Sequence, residues 1–346
     1  MATLEERFKA FVKLGEFLRN FRPAENTGNE AYEELKQVLR QARLKNGWFS
    51  EDNLHHAIAA WGDLLTPENL NTWISSYPVQ DEASGEIAII MAGNIPLVGF
   101  HDLLSVLITG HTAKVKLSSN DKDLLPFLMR KLTEFEPRLE GQVQFVEGIL
   151  KDFDAVIATG SDNTSRYFEY YFGHKPHIIR KNRNSVAVLQ GNETQQTLSA
   201  LGEDIFHYFG LGCRSVSKLF VPESYDFKKF FQAIEPYKKL IDHHKYHNNY
   251  DYNKAVYLMS EFPFLDNGFL LLKPDENYAS PIGTLFYETY DSKTQIKDKL
   301  TADQNKIQCV VAEGISPVEV AFGQTQKPSL TDYADGVDTV EFLLKT

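Results

Sequence analysis

The sequence predicts a doubly wound α/β fold with a helical segment in front of it. Three observations support this prediction: short apolar runs alternate with helical patterns from residue 87 onward, glycine or polar turns end the runs, and the first 76 residues show helical spacing only. Parallel strands joined by crossover helices are buried on both faces, so their sequences are continuously apolar. In such sheets ligands bind beyond the carboxyl ends of the strands.

The first half of the chain contains the helical segment and four predicted strands. Apolar residues recur three and four apart in the helical segment, and Thr66 followed by Pro67 is typical of a helix start. The first strand is predicted at 87–91, and a turn that contains Asn94 follows it. The other strands are predicted at 113–117, 143–146 and 154–158, with helices near 103–108, 121–135 and 168–172.

A second α/β stretch begins near residue 185. Its strands are predicted at 185–189, 217–221, 269–272, 283–290 and 307–312, and its helices at 193–209 and 227–240. Residues 241–253 are polar and aromatic, so we predict a loop there. The alternating pattern of residues 339–344 predicts a last strand.

The composition limits the classes of function. The chain has 346 residues, 42% of them hydrophobic, and a formal net charge of −11, which argues against nucleic-acid binding because phosphate contacts need clustered Lys and Arg. The acidic start has no apolar core of a signal peptide, and no apolar run approaches the roughly 20 residues that cross a bilayer. With two cysteines no disulfide framework is expected, which fits a reducing, cytoplasmic location.

Cys213 is the strongest candidate for chemistry. It lies between a predicted helix and a predicted strand in the sequence FGLGCRS, where Gly210 and Gly212 allow a tight turn. The positive charge of Arg214 would favour the thiolate. The local sequence leaves open whether Cys213 is a nucleophile or an inert buried cysteine, whereas Cys309 sits inside a strand pattern and is expected to be structural.

Other signatures of catalysis are missing from the sequence. There is no G-x-S-x-G and no H-E-x-x-H motif, and no G-x-G-x-x-G follows a predicted strand. The histidines of residues 243–247 lack a cysteine or carboxylate at the usual spacing of metal ligands, apart from Asp242 and Asp251, so we predict a polar loop and no metal site. The basic run of residues 180–183 is either a solvated loop or a ligand contact.

Several segments, in their order and spacing, carry a resemblance to a known family. They are GNIPL at 93–97, VKLSS at 115–119, ATGS at 158–161, GLGC at 210–213 and the closing stretch 322–339. From about residue 85 onward the chain resembles the aldehyde dehydrogenase superfamily, and within it the acyl-CoA reductase branch that includes the long-chain fatty acyl reductase of bacterial bioluminescence. The resemblance implies an aldehyde dehydrogenase-like fold. It divides the chain into a helical segment and dinucleotide-binding domain (1–184), a catalytic thiol domain (185–325) and a tail (326–346) that returns to the first domain or to a dimer partner.

The resemblance also implies the roles of individual residues. Cys213 would be the catalytic thiol, and the Asn94 amide would help to form the oxyanion hole. The residues implied in cofactor binding are Lys116, Ser118 and Ser119 near the adenosine ribose, and Thr159, Gly160 and Ser161 before a helix that points at the pyrophosphate.

Two departures from the family pattern bear on the reaction. Aldehyde-oxidising members activate a hydrolytic water with a glutamate, and Arg180 stands at the matching position, where it cannot act as a base. The acyl group is then expected to pass to CoA or to be reduced. NAD-preferring members often carry a glutamate where this chain has Ser119, so we expect NADPH, with NADH as the alternative. The glutamate that contacts the nicotinamide ribose has no clear counterpart near residues 281–283.

The resemblance therefore predicts reduction of a fatty acyl-CoA to an aldehyde through a thioacyl enzyme. It also suggests a homodimer in which residues 341–344 add a strand to the neighbour, and a partner acyltransferase or acyl-activating enzyme. Three alternatives remain: an acyl-phosphate reductase of the same fold, a catalytically silent assembly partner, and a protein that only binds CoA or acyl groups.

Overall fold

The computed structural model of the chain forms two compact units, Met1–Lys181 with Ser329–Thr346, and Asn182–Pro328. The structure describes residues 2–26, 28–81 and 85–346. The chain enters the second unit after Lys181 and returns to the first after Pro328. None of the helices in these described ranges is long and apolar enough to cross a membrane.

Four helices open the first unit, each begun by a polar side chain. They are α1 (Leu4–Arg19), α2 (Glu30–Lys45), α3 (Glu51–Leu64) and α4 (Pro67–Ile74). The side-chain oxygens of Thr3, Asn29, Ser50 and Thr66 accept backbone N–H groups of the first turns, which would otherwise lack partners. The helical N-terminal segment predicted from the spacing is confirmed.

A five-stranded parallel sheet forms the rest of the first unit. Its strands are β1 (Glu86–Ile90), β2 (Thr112–Lys116), β3 (Val143–Phe145), β4 (Ala155–Thr159) and β5 (His177–Arg180), in the order β3-β2-β1-β4-β5. Its helices are α5 (Phe100–Ile108), α6 (Leu124–Phe135) and α7 (Asp162–Phe172). Strand order reverses between β1 and β4, so the crevice of a doubly wound sheet is expected at the carboxyl ends of these two strands.

The second unit is built on a six-stranded sheet of order β11-β6-β7-β10-β9-β8, in which only β8 pairs antiparallel among its described strands. The strands are β6 (Asn184–Val188), β7 (Val216–Pro222), β8 (Leu265–Asp266), β9 (Leu271–Pro274), β10 (Thr284–Tyr290) and β11 (Ile307–Val311). The helices are α8 (Gln195–Phe206), α9 (Phe227–Ile234), α10 (His244–Met259) and α11 (Lys293–Ala302).

The loop predicted for residues 241–253 is wrong, because most of this segment belongs to α10. Its buried residues Tyr246, Tyr250, Asn253 and Tyr257 recur four and three apart and so share one face of the helix. Tyrosine has an apolar ring and a polar tip, so it can form such a face without making the sequence apolar.

The strand predicted at the C-terminus is also wrong. Residues Thr339–Leu343 form α12, and the side chain of the N-cap residue Asp338 accepts the N–H of Glu341. Val340 and Leu343 are buried within the first unit. Their spacing of three residues fits a helix, although the alternation in the sequence also fits a strand. Packing against α5 favours the helix. Residues 341–344 are thus not an extended strand that could be added to a neighbour.

Candidate active site

The turns at the carboxyl edge of the first sheet carry the residues implied in dinucleotide binding. Asn94 follows β1, which is the central strand, and is exposed to solvent. Lys116 ends β2 on one side of β1, and Thr159 ends β4 on the other. Because all three strands are parallel, their carboxyl ends lie at the same edge of the sheet.

The turns after β1 and β2 are in direct contact. A Cβ at Gly93 would stand 2.5 Å from Ser118 Oγ, so only glycine fits there. Asp121 Oδ2 accepts the N–H of Leu97 at 3.0 Å, and Leu97 adopts the left-handed region with a φ of 58°. Burial raises the pKa of the Asp121 carboxyl to about 6, against the two backbone hydrogen bonds that lower it.

Two of the three side chains predicted to contact the ribose already form hydrogen bonds within the protein. Lys116 Nζ donates to the carbonyl oxygen of Gly148 at 3.1 Å. Ser118 Oγ accepts the N–H of Asn120 at 3.2 Å and so closes its own turn. Ser119 is exposed. Ser119 is therefore the most accessible of these three side chains.

The turn after β4 leads into α7, whose first residues offer backbone N–H groups. Ser161 Oγ caps the helix by accepting the N–H of Thr164 at 3.3 Å. At Gly160 a Cβ would stand 3.0 Å from side-chain atoms of Thr164 and Phe168, so the glycine lets the turn pack closely on the helix. The N-terminus of a helix of this length favours an anion. The edge of this sheet thus has the glycine turn and helix N-terminus that a dinucleotide phosphate requires.

The candidate thiol lies in the second unit. Cys213 is exposed and comes just before β7, whereas Cys309 is buried in β11. Ser185, which is fully buried near the start of β6, donates its hydroxyl to the carbonyl oxygen of Cys213 at 2.9 Å. This bond fixes the backbone of the cysteine at the amino ends of two neighbouring strands.

The backbone that leads to Cys213 is strained. Tyr208 and Phe209 have φ angles of 51° and 58°, and Gly210 follows with 75°. Left-handed conformations cost free energy for residues with a side chain, so tertiary contacts must hold them. The ring of Phe209 lies 4.3 Å from that of His243, between ring centroids. His243 thus precedes α10 and packs on Phe209, whereas His244 and His247 are exposed. No metal-binding group of His, Cys, Asp and Glu occurs in the part of the chain that the structure describes.

Arg214 is hydrogen-bonded to the closing stretch 322–339, one of the segments that carry the family resemblance. Its Nε donates to the carbonyl oxygen of Thr325 at 2.5 Å. Thr325 in turn donates its N–H and hydroxyl to Asp204, both at 2.9 Å. Asp204 is fully buried, and burial raises its pKa against the hydrogen bonds that lower it. This network anchors residues 323–325 beside the turn of Cys213.

Arg180 differs from both readings of the basic run at 180–183. It is buried at the end of β5, where its guanidinium forms an ion pair with Asp102 and donates to Thr339 Oγ1 at 3.1 Å. It is therefore not in a solvated loop. The residue that the resemblance matches to the glutamate of aldehyde-oxidising members is thus part of a buried ion pair within the first unit.

No sequence motif identified Asp121 or Ser185 as a residue of the site. Asp121 stands at the start of a predicted helix and Ser185 at the start of a predicted strand, and neither stands in a motif. Their partners lie 24 and 28 residues away along the chain, so no local pattern could identify them.

The fold is that of the aldehyde dehydrogenases. The chain superimposes on aldehyde dehydrogenase 21 from Physcomitrella patens, solved with its reaction product succinate, with a TM-score of 0.65 and 13% identity over 90% of this chain and 73% of that one. An NAD-dependent benzaldehyde dehydrogenase from Corynebacterium glutamicum gives 0.64 and 11% over 99% and 84%. The NAD⁺ complex of an aldehyde dehydrogenase from Bacillus cereus gives 0.60 and 15% over 90% and 72%. At these identities the likeness establishes the fold alone.

The family is shown by the sequence. The model of the family "Acyl-CoA reductase (LuxC)" matches residues 18–254. The chain therefore belongs to the acyl-CoA reductase (LuxC) family, a family of oxidoreductases, and the predicted fold class and family are confirmed. The match begins at residue 18 and so includes most of the helical segment, whereas the resemblance carried by the motifs begins near residue 85. A comparison with curated protein sequences gave no match.

Proposed function

We propose that the protein reduces a fatty acyl-CoA to the aldehyde through a thioacyl enzyme on Cys213, with NADPH as the reductant. The observation that carries this proposal is an exposed cysteine on a strained, tethered turn in a member of the acyl-CoA reductase family. A thiol used as a nucleophile must reach its substrate, whereas an inert cysteine is normally buried, as Cys309 is.

In the first step the Cys213 thiolate attacks the thioester carbonyl carbon and forms a new carbon–sulfur bond. The bond to the CoA sulfur then breaks, and the CoA thiolate takes up a proton from solvent. The resemblance assigns the Asn94 amide to the oxyanion, and one oxyanion-hole donor is worth about 2.7–4 kcal/mol in acyl-transfer enzymes. The dinucleotide would supply a hydride, which is a proton with two electrons. The hydride turns the thioester carbonyl into an aldehyde. Release of the aldehyde breaks the bond to Cys213 and regenerates its thiolate.

Hydrolysis of the thioacyl enzyme is disfavoured by Arg180. A guanidinium keeps its proton at neutral pH and cannot accept one from water. Arg180 is also buried against Asp102, so it does not substitute for the glutamate of aldehyde-oxidising relatives. The thioacyl enzyme then has two exits, return to CoA or reduction.

Ser119 supports NADPH over NADH. Its hydroxyl is exposed at the end of the β2 turn and carries no charge. A carboxylate at this position would repel a 2′-phosphate, and its absence removes that repulsion. NADH remains the alternative, as does an acyl phosphate in place of the acyl-CoA. A partner acyltransferase or acyl-activating enzyme and a homodimer belong to the same proposal.

The test is a panel of acyl-CoAs of increasing chain length and matching acyl phosphates, each scored by oxidation of NADPH and of NADH. We expect aldehyde and free CoA in a one-to-one ratio, with NADPH as the better reductant and long chains as the better substrates. Activity with acyl phosphates alone would assign the protein to that class of reductase. Absence of both activities and of any acyl adduct on Cys213 would favour a silent assembly partner.

A further inference from the structure

The turns after β1 and β2 form one rigid piece at the proposed cofactor site. Gly93 leaves no room for a side chain beside Ser118, and Asp121 binds the backbone of Leu97. Residues 92–98 and 117–121 are therefore joined by a close approach of Gly93 to Ser118 and by a hydrogen bond from Leu97 to Asp121.

Asn46 binds both turns from the helical N-terminal segment. It follows α2 as its C-cap and is only 6% exposed. Its side-chain Nδ2 lies 3.4 Å from the carbonyl oxygen of Gly93 and 3.3 Å from that of Asn120. Its Oδ1 accepts the N–H of Trp48 at 3.0 Å, which fixes the amide so that its two N–H groups face the turns.

The residue before Asn46 binds the same loop. Lys45 Nζ forms an ion pair with Asp123 Oδ1 at 2.6 Å, three residues beyond Asn120. This ion pair is partly exposed and is worth little by itself. Together with the two bonds of Asn46 it attaches the end of α2 to the loop that carries Ser118 and Ser119.

We propose that Asn46 is a positioning residue of the dinucleotide site, and that the helical N-terminal segment holds the turns after β1 and β2 in the arrangement that binds the cofactor. This inference rests on the proposed function. Without the Asn46 amide, the buried hydrogen bond to Gly93 and the partly buried one to Asn120 are lost, and the turns must be ordered when the cofactor binds. The free energy of that ordering is subtracted from the binding free energy.

The test compares Asn46→Ala with Asn69→Ala. Asn69 belongs to the same helical segment and also donates to a backbone carbonyl, that of Asp63 at 2.9 Å, but it does not touch the turns. We expect Asn46→Ala to raise the Kd for NADPH about 3- to 10-fold, as for the loss of one or two ordinary hydrogen bonds. Amide hydrogen exchange should become faster in both 92–98 and 117–121. Asn69→Ala should change neither quantity.

A double-mutant cycle with Ser119→Ala separates positioning from general destabilisation. If Asn46 acts by placing the turn that carries Ser119, the loss caused by Ser119→Ala must be smaller in the Asn46→Ala background than in the wild type. Additive effects, or an unchanged Kd with unchanged exchange, would overturn the inference. If Asn46→Ala does not fold, Lys45→Met offers a milder variant, with an expected increase in Kd of about twofold.

The two proposals fail in different ways. If the wild type binds neither NADPH nor NADH, the proposed cofactor is wrong. Hydrogen exchange still decides whether Asn46 holds both turns, because that measurement needs no ligand. If the wild type binds NADPH and Asn46→Ala binds it equally well with unchanged exchange, only the positioning role is lost.

Discussion

Arg180 and Asp102 form a buried ion pair in the first unit, and Arg180 is the residue that the family resemblance matches to the hydrolytic base of aldehyde-oxidising relatives. The guanidinium at the end of β5 reaches a carboxylate on α5, and both side chains are less than a tenth exposed. A charge at this depth is tolerated only because its partner is present. The stability of the first unit therefore depends on this ion pair.

Arg180→Met is expected to lower the free energy of unfolding by about 3–5 kcal/mol, because it leaves the Asp102 carboxylate buried without its partner. Chemical denaturation measures this. Lys181→Met is the control, since it breaks only the exposed ion pair with Glu169, which should cost less than about 1 kcal/mol. The double variant Arg180→Met with Asp102→Leu should recover most of the loss. Equal stability of Arg180→Met and wild type would contradict the prediction.

Cys213→Ala is expected to abolish acyl transfer and leave the affinity for NADPH nearly unchanged, because the reacting sulfur is removed and the first unit is untouched. Mass spectrometry of the intact protein after mixing with acyl-CoA should show one acyl adduct in the wild type and none in the variant. Cys309→Ala, which removes the buried cysteine, should keep the adduct. Full reductase activity in Cys213→Ala would end the proposed mechanism.

Ser185→Ala is expected to slow acylation several-fold, because the carbonyl of Cys213 loses the hydroxyl that holds it. The loss of stability should be about 1 kcal/mol. Tyr290→Phe is a matched control. It removes a hydroxyl bound at 2.7 Å to the carbonyl of Leu189, just beyond the carboxyl end of the same strand, and should cost similar stability without slowing acylation. Equal rates of acylation in the two variants would show that Ser185 has only a structural role.

Asp121 predicts a defined dependence of stability on pH. Its folded-state pKa of about 6 lies above the ordinary value of 3.8, so the folded state binds this proton more tightly than the unfolded state. The contribution of this protonated carboxyl to the free energy of unfolding is therefore fully present below about pH 4 and is lost as the pH rises through 6. Between pH 4 and pH 7 the wild type should lose roughly 2–3 kcal/mol relative to Asp121→Asn.

Urea unfolding at pH 4, 5, 6 and 7 measures this difference. Asp63→Asn makes the same change in charge at an exposed carboxylate and serves as the control. A difference between wild type and Asp121→Asn that stays constant from pH 4 to pH 7 would show that Asp121 ionises as an ordinary carboxyl.

Ser119→Glu is expected to shift the preference from NADPH toward NADH, because a carboxylate at this exposed position repels a 2′-phosphate. The ratio of kcat/KM for NADPH to that for NADH should fall by at least about tenfold, equivalent to 1.4 kcal/mol. Ser75→Glu places the same charge on an exposed serine at the end of α4 and should leave the ratio unchanged. An unchanged ratio in Ser119→Glu would remove Ser119 from the cofactor site.

The sequence by itself determined the alternation of strands and helices, the order of the two α/β stretches, and the glycine-flanked turn before Cys213. These features are local, because an apolar run of five residues or a glycine pair limits its own backbone whatever surrounds it. For the same reason the helical segment and the parallel strands β1 to β4 could be read directly. The family resemblance also came from the sequence, since ordered short motifs survive in the chain itself.

Only the tertiary structure decided how the polar residues are used. Residues 244–259 and 339–343 form helices because of what their buried side chains contact. Arg180 looked like part of a basic loop and is in fact the partner of a carboxylate 78 residues earlier. Asn46 and Asp121 join the turns after β1 and β2 across distances of 24 to 74 residues along the chain. Such contacts leave no local pattern, because a buried charge or amide is stabilised by whichever partner the fold brings beside it.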